Sequence, residues 1–485
     1  MKQSWESKIA PAAPFSGAPR ITAPLVYGAS PNLPILWRVG VLGERPVRLE
    51  ADGLPDGLVL RENVISGSVP AGEYPVTLRA HSRLGSDEKT VTLRVAPDGA
   101  LRTPLLGFTS WNAFASGVTQ ADIESTAELL VRTGLAEYGY TYVNLDSGWQ
   151  GAYGGAYDAV QPNAKFPNMR AMYDALHRLG IKGGIYSSPF RACWGCPPEQ
   201  KIAPGATRGE PDIRFGDMNT GIGTEHREPE NVRQWAEWGV DYLKYDWRPT
   251  DPVNADRMKS ALRAAPREIP LCVTVNAIPE YALYWNHACC SWRNNNDTVP
   301  SWQNIAERLA TVDDWTDRTS PGHFYDLDML AIGEMALFSD PKEAVHQPWR
   351  TQTLTEDEQI FAMTMHLFFP SPVQLSMRLD RLTPFTFALA ANEELLAINQ
   401  DAQCSFPVRD DLPDADCRIY RRAMADGGWT VAVFNLSASV QSGTYPLGGD
   451  CRLRDPWRKV DLGIADRIVF SLPPHSAAVR RVRPV

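Results

Sequence analysis

The sequence predicts a multidomain α/β protein, a (β/α)8 TIM barrel set between an N-terminal Ig-like β-sandwich and a C-terminal antiparallel β-domain. Three observations predict it. The 485 residues exceed one ordinary domain. Residues from about 103 to 400 alternate short apolar strands with amphipathic helical stretches, about eight times over. The flanking segments, 1–100 and 401–485, carry period-two alternation instead.

In the first segment, Val47-Arg48-Leu49-Glu50, Leu58-Val59-Leu60 and Val91-Thr92-Leu93-Arg94-Val95 alternate between Gly, Pro and Asp clusters, as in a small sandwich. Asp98-Gly99-Ala100 reads as a linker. A packing or spacer module is a simpler reading than a dedicated sugar-binding domain. In the central segment the strand candidates are Thr141–Leu145, Gly183–Tyr186, Tyr242–Tyr245 and Leu271–Val275. Helical stretches lie between them, among them Asp122–Val131 and Met169–Leu179. No GxGxxG follows the first strand, which disfavours a dinucleotide fold. After about residue 401 the pattern holds only strands, such as Trp429–Phe434 and Ile468–Phe470. A β-domain that stabilises the barrel flank follows.

Composition narrows the function. A net charge of −9 argues against nucleic acid, whose phosphates demand a basic face. No apolar run reaches the roughly 18–20 residues that cross a bilayer, so membrane insertion is not expected. The opening Met1-Lys2-Gln3-Ser4-Trp5-Glu6 lacks an apolar leader core. Secreted or periplasmic placement after leader removal is the expectation, with a cytoplasmic location left open. Eight cysteines permit disulfides without requiring them. Cys193-Trp-Gly-Cys196 has no second CxxC or HxxxH partner, so no metal is expected. Cys289-Cys290 is expected as a partly buried pair of free thiols. Fifteen Trp suit either a core or the stacking of rings on sugars.

In such barrels reactive side chains project from the C-terminal ends of strands. Those ends carry Trp111, Asp146, Tyr186, Lys244 with Asp246, Asn276, Arg293 with Asp297, and Asp326 with Asp328. A single carboxylate there is more often a helix N-cap. Several converging on one mouth fit glycoside hydrolysis, which needs two carboxyls about 5–5.5 Å apart in the retaining mode. Lys244, two residues before Asp246 on one strand face, is expected to keep Asp246 ionised. The partner acid would start protonated beside it and lose its proton more easily once Asp246 is esterified. Spacing does not say which Asp plays which part. The two are expected on neighbouring staves.

Several motifs carry a resemblance. Gly107-Phe108-Thr109-Ser110-Trp111-Asn112 resembles GWNSWN, and Gly139 through Trp149 resembles GYxYVNLDDGW. Lys165-Phe166-Pro167 and Gly184-Ile185-Tyr186-Ser187 match KFP and GIYSD. Trp238 through Asp246 is similar to WGVDYLKYD, and Trp292-Arg293-Asn294 through Asp297 with Trp302 follows WRxxxD…W. Asp326 through Gly333 resembles DPDMLVIG. Together they resemble the α-galactosidase (melibiase) group, glycoside hydrolase family 27 of clan D, in order across nearly 300 residues. The resemblance implies an exo-acting, retaining α-glycosidase of α-galactosidase type, without metal or cofactor, acting on an oligosaccharide or polysaccharide. It assigns the nucleophile to Asp246 and the acid/base to Asp297, and sugar contacts to Trp111, Asp146, Tyr186, Lys244 and Arg293. A homo-oligomer stays open.

The departures bear on sugar choice. Ser147 stands where the family has the second Asp of LDD. That removes a charge-assisted hydrogen bond of roughly 1.5–3 kcal/mol from the end that grips galactose hydroxyls. Ser188 replaces the Asp of GIYSD, and Val273-Thr274-Val275-Asn276-Ala277 differs from the family's fifth-strand patterns. Trp247 and Arg248 stand where the family has a Cys after KYD, so the family disulfide to the Cys193 region is not expected. An isomalto-dextranase-like α-glucosidase or a β-L-arabinopyranosidase is the alternative with the same chemistry. An inactive carbohydrate-binding barrel is the rival from another class, and the presence of both carboxylates and Lys244 argues against it.

Overall fold

A computed structural model describes residues 4–97, 99–189, 226–247, 250–274, 281–315, 318–335, 352–412 and 417–485. The first segment folds as two sheets over one apolar core. A three-stranded sheet joins Ile35–Arg38, Val64–Gly67 and Leu58–Arg61. A four-stranded sheet is built on the hairpin Gly72–Ser82 with Gly85–Val95, and Val26–Ala29 runs parallel to the latter. Trp37 and Ile65 from one sheet meet Val76, Leu78, Val91 and Leu93 from the other, all buried. Alternate residues of the hairpin face this core, which is the period-two pattern expected of a sandwich.

The barrel strands are Leu106–Thr109, Tyr142–Asn144, Lys182–Ser187, Tyr242–Asp246, Leu271–Thr274, Ser291–Trp292, Phe324–Tyr325 and Val373–Leu375, with a further piece at Met329–Leu330. All adjacent pairs are parallel. The nine hydrogen-bonded pieces begin with Phe324–Tyr325 and end with Met329–Leu330. Only Asp326-Leu327-Asp328 separates those two in the chain. They are therefore two halves of one seventh stave, and the array closes into eight. Its first half pairs with Ser291–Trp292 and its second with Val373–Leu375. The break falls at Asp328, whose φ of 74° is left-handed.

Helices follow the strands where the periodicity places them. Gln120–Thr133 starts on a Thr119/Asp122 capping box and ends on Gly134 at φ 85°. Met169–Arg178 is capped by Asn168. Gly184 is required by close approach, since a Cβ there would collide with Asn144 Oδ1 inside the barrel. The helix that leads into the eighth strand, Glu356–Phe368, is buried on every face from Glu358 onward. It lies under a six-stranded sheet of residues 408–484, antiparallel throughout. Phe361 and Phe368 pack edge-on against Phe434, and Trp457 Nε1 donates to Thr364 Oγ1 at 2.9 Å. Among the described residues no helix follows Asn399, and none of their helices is long and apolar enough to cross a membrane.

Candidate active site

The strand ends deliver charged groups to one mouth. Asp146 follows the second strand, with its backbone N–H bonded to Ser110 Oγ at 2.9 Å. Its Oδ1 accepts the N–H of Ser147 at 2.7 Å, and its Oδ2 accepts Thr109 Oγ1 at 3.3 Å and Lys244 Nζ at 2.7 Å. Lys244 lies in register with Tyr186 on the third strand, its ammonium 5.7 Å from that ring centre. Burial alone lowers the Lys244 pKa, but Asp146 in contact, with Asp297 and Asp246 nearby, raises it further than burial lowers it. The ammonium persists.

Asp246 ends the fourth strand, in register with Thr274. Tyr186 OH donates to its Oδ2 at 2.9 Å, while Oδ1 is buried without a protein partner. Ser188 Oγ donates in turn to Tyr186 OH at 3.4 Å. Burial pushes Asp246 above the ordinary carboxylate range; Lys244 and then Arg293 pull it down, and Asp297 pushes it up. Lys244 acts on Asp246 in the expected direction, through space rather than by contact. The lysine's direct partner is Asp146, and its field on Asp246 is outweighed by burial.

Arg293, 1 % exposed, follows the sixth strand and donates from Nη2 to Asp297 Oδ1 at 2.9 Å. Its Nη1 contacts Asp328 Oδ1. Burial lowers the guanidinium pKa, but Asp328, Asp297 and Asp246 more than restore it. Asp297 is 38 % exposed, open enough to meet a ligand. One correction concerns placement. The staves leading to Asp246 and Asp297 are not neighbours, because Leu271–Thr274 lies between them.

Of the predicted site residues, Asp146, Tyr186, Lys244, Asp246, Arg293 and Asp297 are joined by these contacts and fields. Ser147 is buried beside Asp146. Trp111 opens a short helix just past the first strand, partly exposed, next to the Ser110 that holds Asp146. Asn276 lies outside the described residues, as do Cys193 and Cys196. Cys289 and Cys290 are free and buried. Sequence reasoning noted Asp328 only as a strand-end carboxylate, and Arg308 and the Thr298 N–H not at all. Both touch Asp328. The DxD at the end of the seventh strand was the available signal. Among the described residues no group of His, Cys, Asp and Glu could hold a metal ion.

Fold and site together define a (β/α)8 barrel of the glycosidase type, with a pair of carboxylates flanked by a lysine and an arginine at the strand C-terminal ends. The chain belongs to the α-galactosidase-like family, glycoside hydrolase family 27. The family profile described as Alpha galactosidase A matches residues 221–401, and that of the Alpha galactosidase C-terminal beta sandwich domain matches 414–482. An α-galactosidase of Oryza sativa subsp. japonica is 28 % identical over 410 residues, 81 % of this chain and 87 % of that one. A solved structure from Bacteroides fragilis, described as a candidate α-galactosidase/melibiase, superposes with a TM-score of 0.84 at 26 % identity, covering 97 % of this chain and 99 % of that one. A Geobacillus stearothermophilus β-L-arabinopyranosidase shares the fold, with a TM-score of 0.66 at 23 % identity over 79 % of this chain and 97 % of that one. The chain spans about half the length of several fungal α-galactosidase D relatives that it matches.

Proposed function

We propose that the protein is a retaining, exo-acting α-glycosidase of α-galactosidase type that cleaves a terminal glycosidic bond of an oligosaccharide or polysaccharide by double displacement. Asp246 attacks the anomeric carbon, and Asp297 protonates the leaving oxygen and then deprotonates the incoming water. The observation that carries this reading is one mouth that presents Asp246, held by Tyr186 with Oδ1 unpartnered, and Asp297, held by Arg293 and partly exposed. Tyr186 OH orients the other oxygen of Asp246, so the attacking atom is held in place. Asp146, fixed by Lys244 and the Ser147 N–H, is the group offered to ring hydroxyls, and Trp111 is the stacking platform. When Asp246 becomes an ester its charge disappears, and Asp297 more readily gives up a proton and can act as base.

Ser147 favours a second reading of the sugar. It is buried and neutral where a carboxylate would grip galactose, so a glucoside or a β-L-arabinopyranoside could occupy the same site. Hydrolysis of p-nitrophenyl α-D-galactoside, α-D-glucoside and β-L-arabinopyranoside ranks the three. Roles are tested by Asp246→Gly, which should lose at least about 10³-fold in kcat. Azide should restore turnover and yield a glycosyl azide of inverted anomeric configuration. Inverted azide product from an Asp297 variant instead would reverse the assignment.

A further inference from the structure

We propose that Asp328 is a positioning residue for Asp297, setting both the location of that carboxyl and the pH at which it gives up its proton; this rests on the reading of Asp297 as acid/base. The broken seventh stave is what makes this possible. Asp326 Oδ1 accepts the N–H of Asp328 at 2.7 Å, closing a turn in which Asp328 takes a left-handed φ of 74°. The turn sends the Asp328 carboxylate sideways under the sixth strand's loop. There Oδ2 accepts the N–H of Thr298 at 2.6 Å, and Oδ1 contacts Arg293 Nη1. Thr298 is the residue after Asp297, and Arg293 Nη2 holds Asp297 Oδ1 at 2.9 Å. One carboxylate thus grips the backbone beside Asp297 and the guanidinium on its side chain. At 5 % exposure Asp328 is buried beneath the mouth and acts through these two partners.

The charge argument has a definite sign. Facing Asp328 are Arg293, Arg308 with Nη2 at 3.5 Å, Lys244, Asp297 and Asp326, and His366 Nε2 lies 3.2 Å from its backbone oxygen. Its negative charge offsets two buried cations that also act on Asp297. Removing it leaves those cations to stabilise the Asp297 carboxylate, so the proton departs at lower pH. An acid that must begin protonated then fails earlier on the alkaline side.

The test compares kcat/KM against pH for 2,4-dinitrophenyl α-galactoside, whose leaving group departs without a proton, and methyl α-galactoside, whose leaving group needs one. Asp328→Asn should lose about 10²-fold or more on the methyl substrate and under about 10-fold on the dinitrophenyl one. Its alkaline limb should move down by about one pH unit. Arg308→Gln removes one of the offset cations and should move that limb upward, which keeps the inference testable should Asp328→Asn not fold. Equal losses on both substrates with an unmoved limb, or an unmoved limb in Arg308→Gln, would overturn it. Asp297→Ala separates this from the reading beneath it. If that variant lacks the same leaving-group selectivity, or if the unaltered protein cleaves no α-galactoside, α-glucoside or β-L-arabinopyranoside, the acid/base assignment itself falls and this inference with it.

Discussion

Asp326 shows how a single residue inside the barrel records its surroundings. It is buried, with Cys272 Sγ 3.7 Å from Oδ2 and the N–H of Asp328 on Oδ1. Burial first, and then the charge of Asp328, push its carboxyl up to about 6, against the pull of Arg293 and Lys244. An unfolded Asp titrates near 3.9, so the folded state holds this proton more tightly. The stability linked to it is complete below about pH 4 and lost as pH rises through about 6. Asp326→Asn keeps an oxygen for the Asp328 N–H and discards the charge. Urea unfolding should show a gain of about 2–3 kcal/mol at pH 8 and little gain at pH 4. The same gain at both would refute the linkage. At this scale much of the site was legible, because Lys244, Asp246, Arg293 and Asp297 are adjacent in local motifs that a chain displays directly. The Lys244–Asp146 contact spans 98 positions, and no local pattern reveals which carboxylate a lysine will choose.

Elements were legible where one face alone is buried. Gln120–Thr133 has an apolar stripe, a capping box and a terminal Gly, and the periodic stretch 122–131 locates it within two residues at each end. The seventh stave was not legible as two pieces. Each piece has only two residues, and the turn between them is dictated by the Asp326 side chain rather than by Gly or Pro. Helix Glu356–Phe368 is a different case, buried all round because a barrel lies on one side and a sheet on the other. Its register is set at its start. Thr355 Oγ1 accepts the N–H of Glu358, the Glu358 carboxylate accepts the N–H of Thr355, and His475 Nδ1 lies 2.8 Å from Glu358 Oε1. Thr355→Ala should cost about 1 kcal/mol in denaturant unfolding, with kcat/KM unchanged. A loss under about 0.3 kcal/mol would mean that tertiary packing alone fixes this end.

Across the whole molecule the sandwich and the catalytic mouth lie at opposite ends of the barrel. Three ties to the sandwich meet the barrel where strands begin, while Arg20 reaches Glu393 on a helix after the eighth strand. Glu137, 3 % exposed and just ahead of the second strand, accepts Arg38 Nη2 at 2.7 Å and the N–H of Val41 at 2.9 Å. Lys182, opening the third strand, donates to Tyr27 OH at 3.1 Å and Tyr142 OH at 3.2 Å. Glu268, ahead of the fifth, accepts the N–H groups of Ser30 and Ala100 at 3.0 Å each. The stretch that reads as a linker is tied to the barrel at Ala100. This geometry supports a structural task for the sandwich, since N-terminal faces of such barrels serve stability and C-terminal faces serve chemistry. Glu137→Gln tests it. The change leaves the Arg38 guanidinium, itself nearly buried, without its counter-charge, and breaking a buried pair from one side costs about 3–5 kcal/mol. Calorimetry should show a lower unfolding temperature, with the sandwich melting ahead of the barrel, while kcat/KM at 25 °C stays within about twofold. A variant that keeps its thermal stability but loses activity would mean that the sandwich speaks to the site, and that its role is not confined to support.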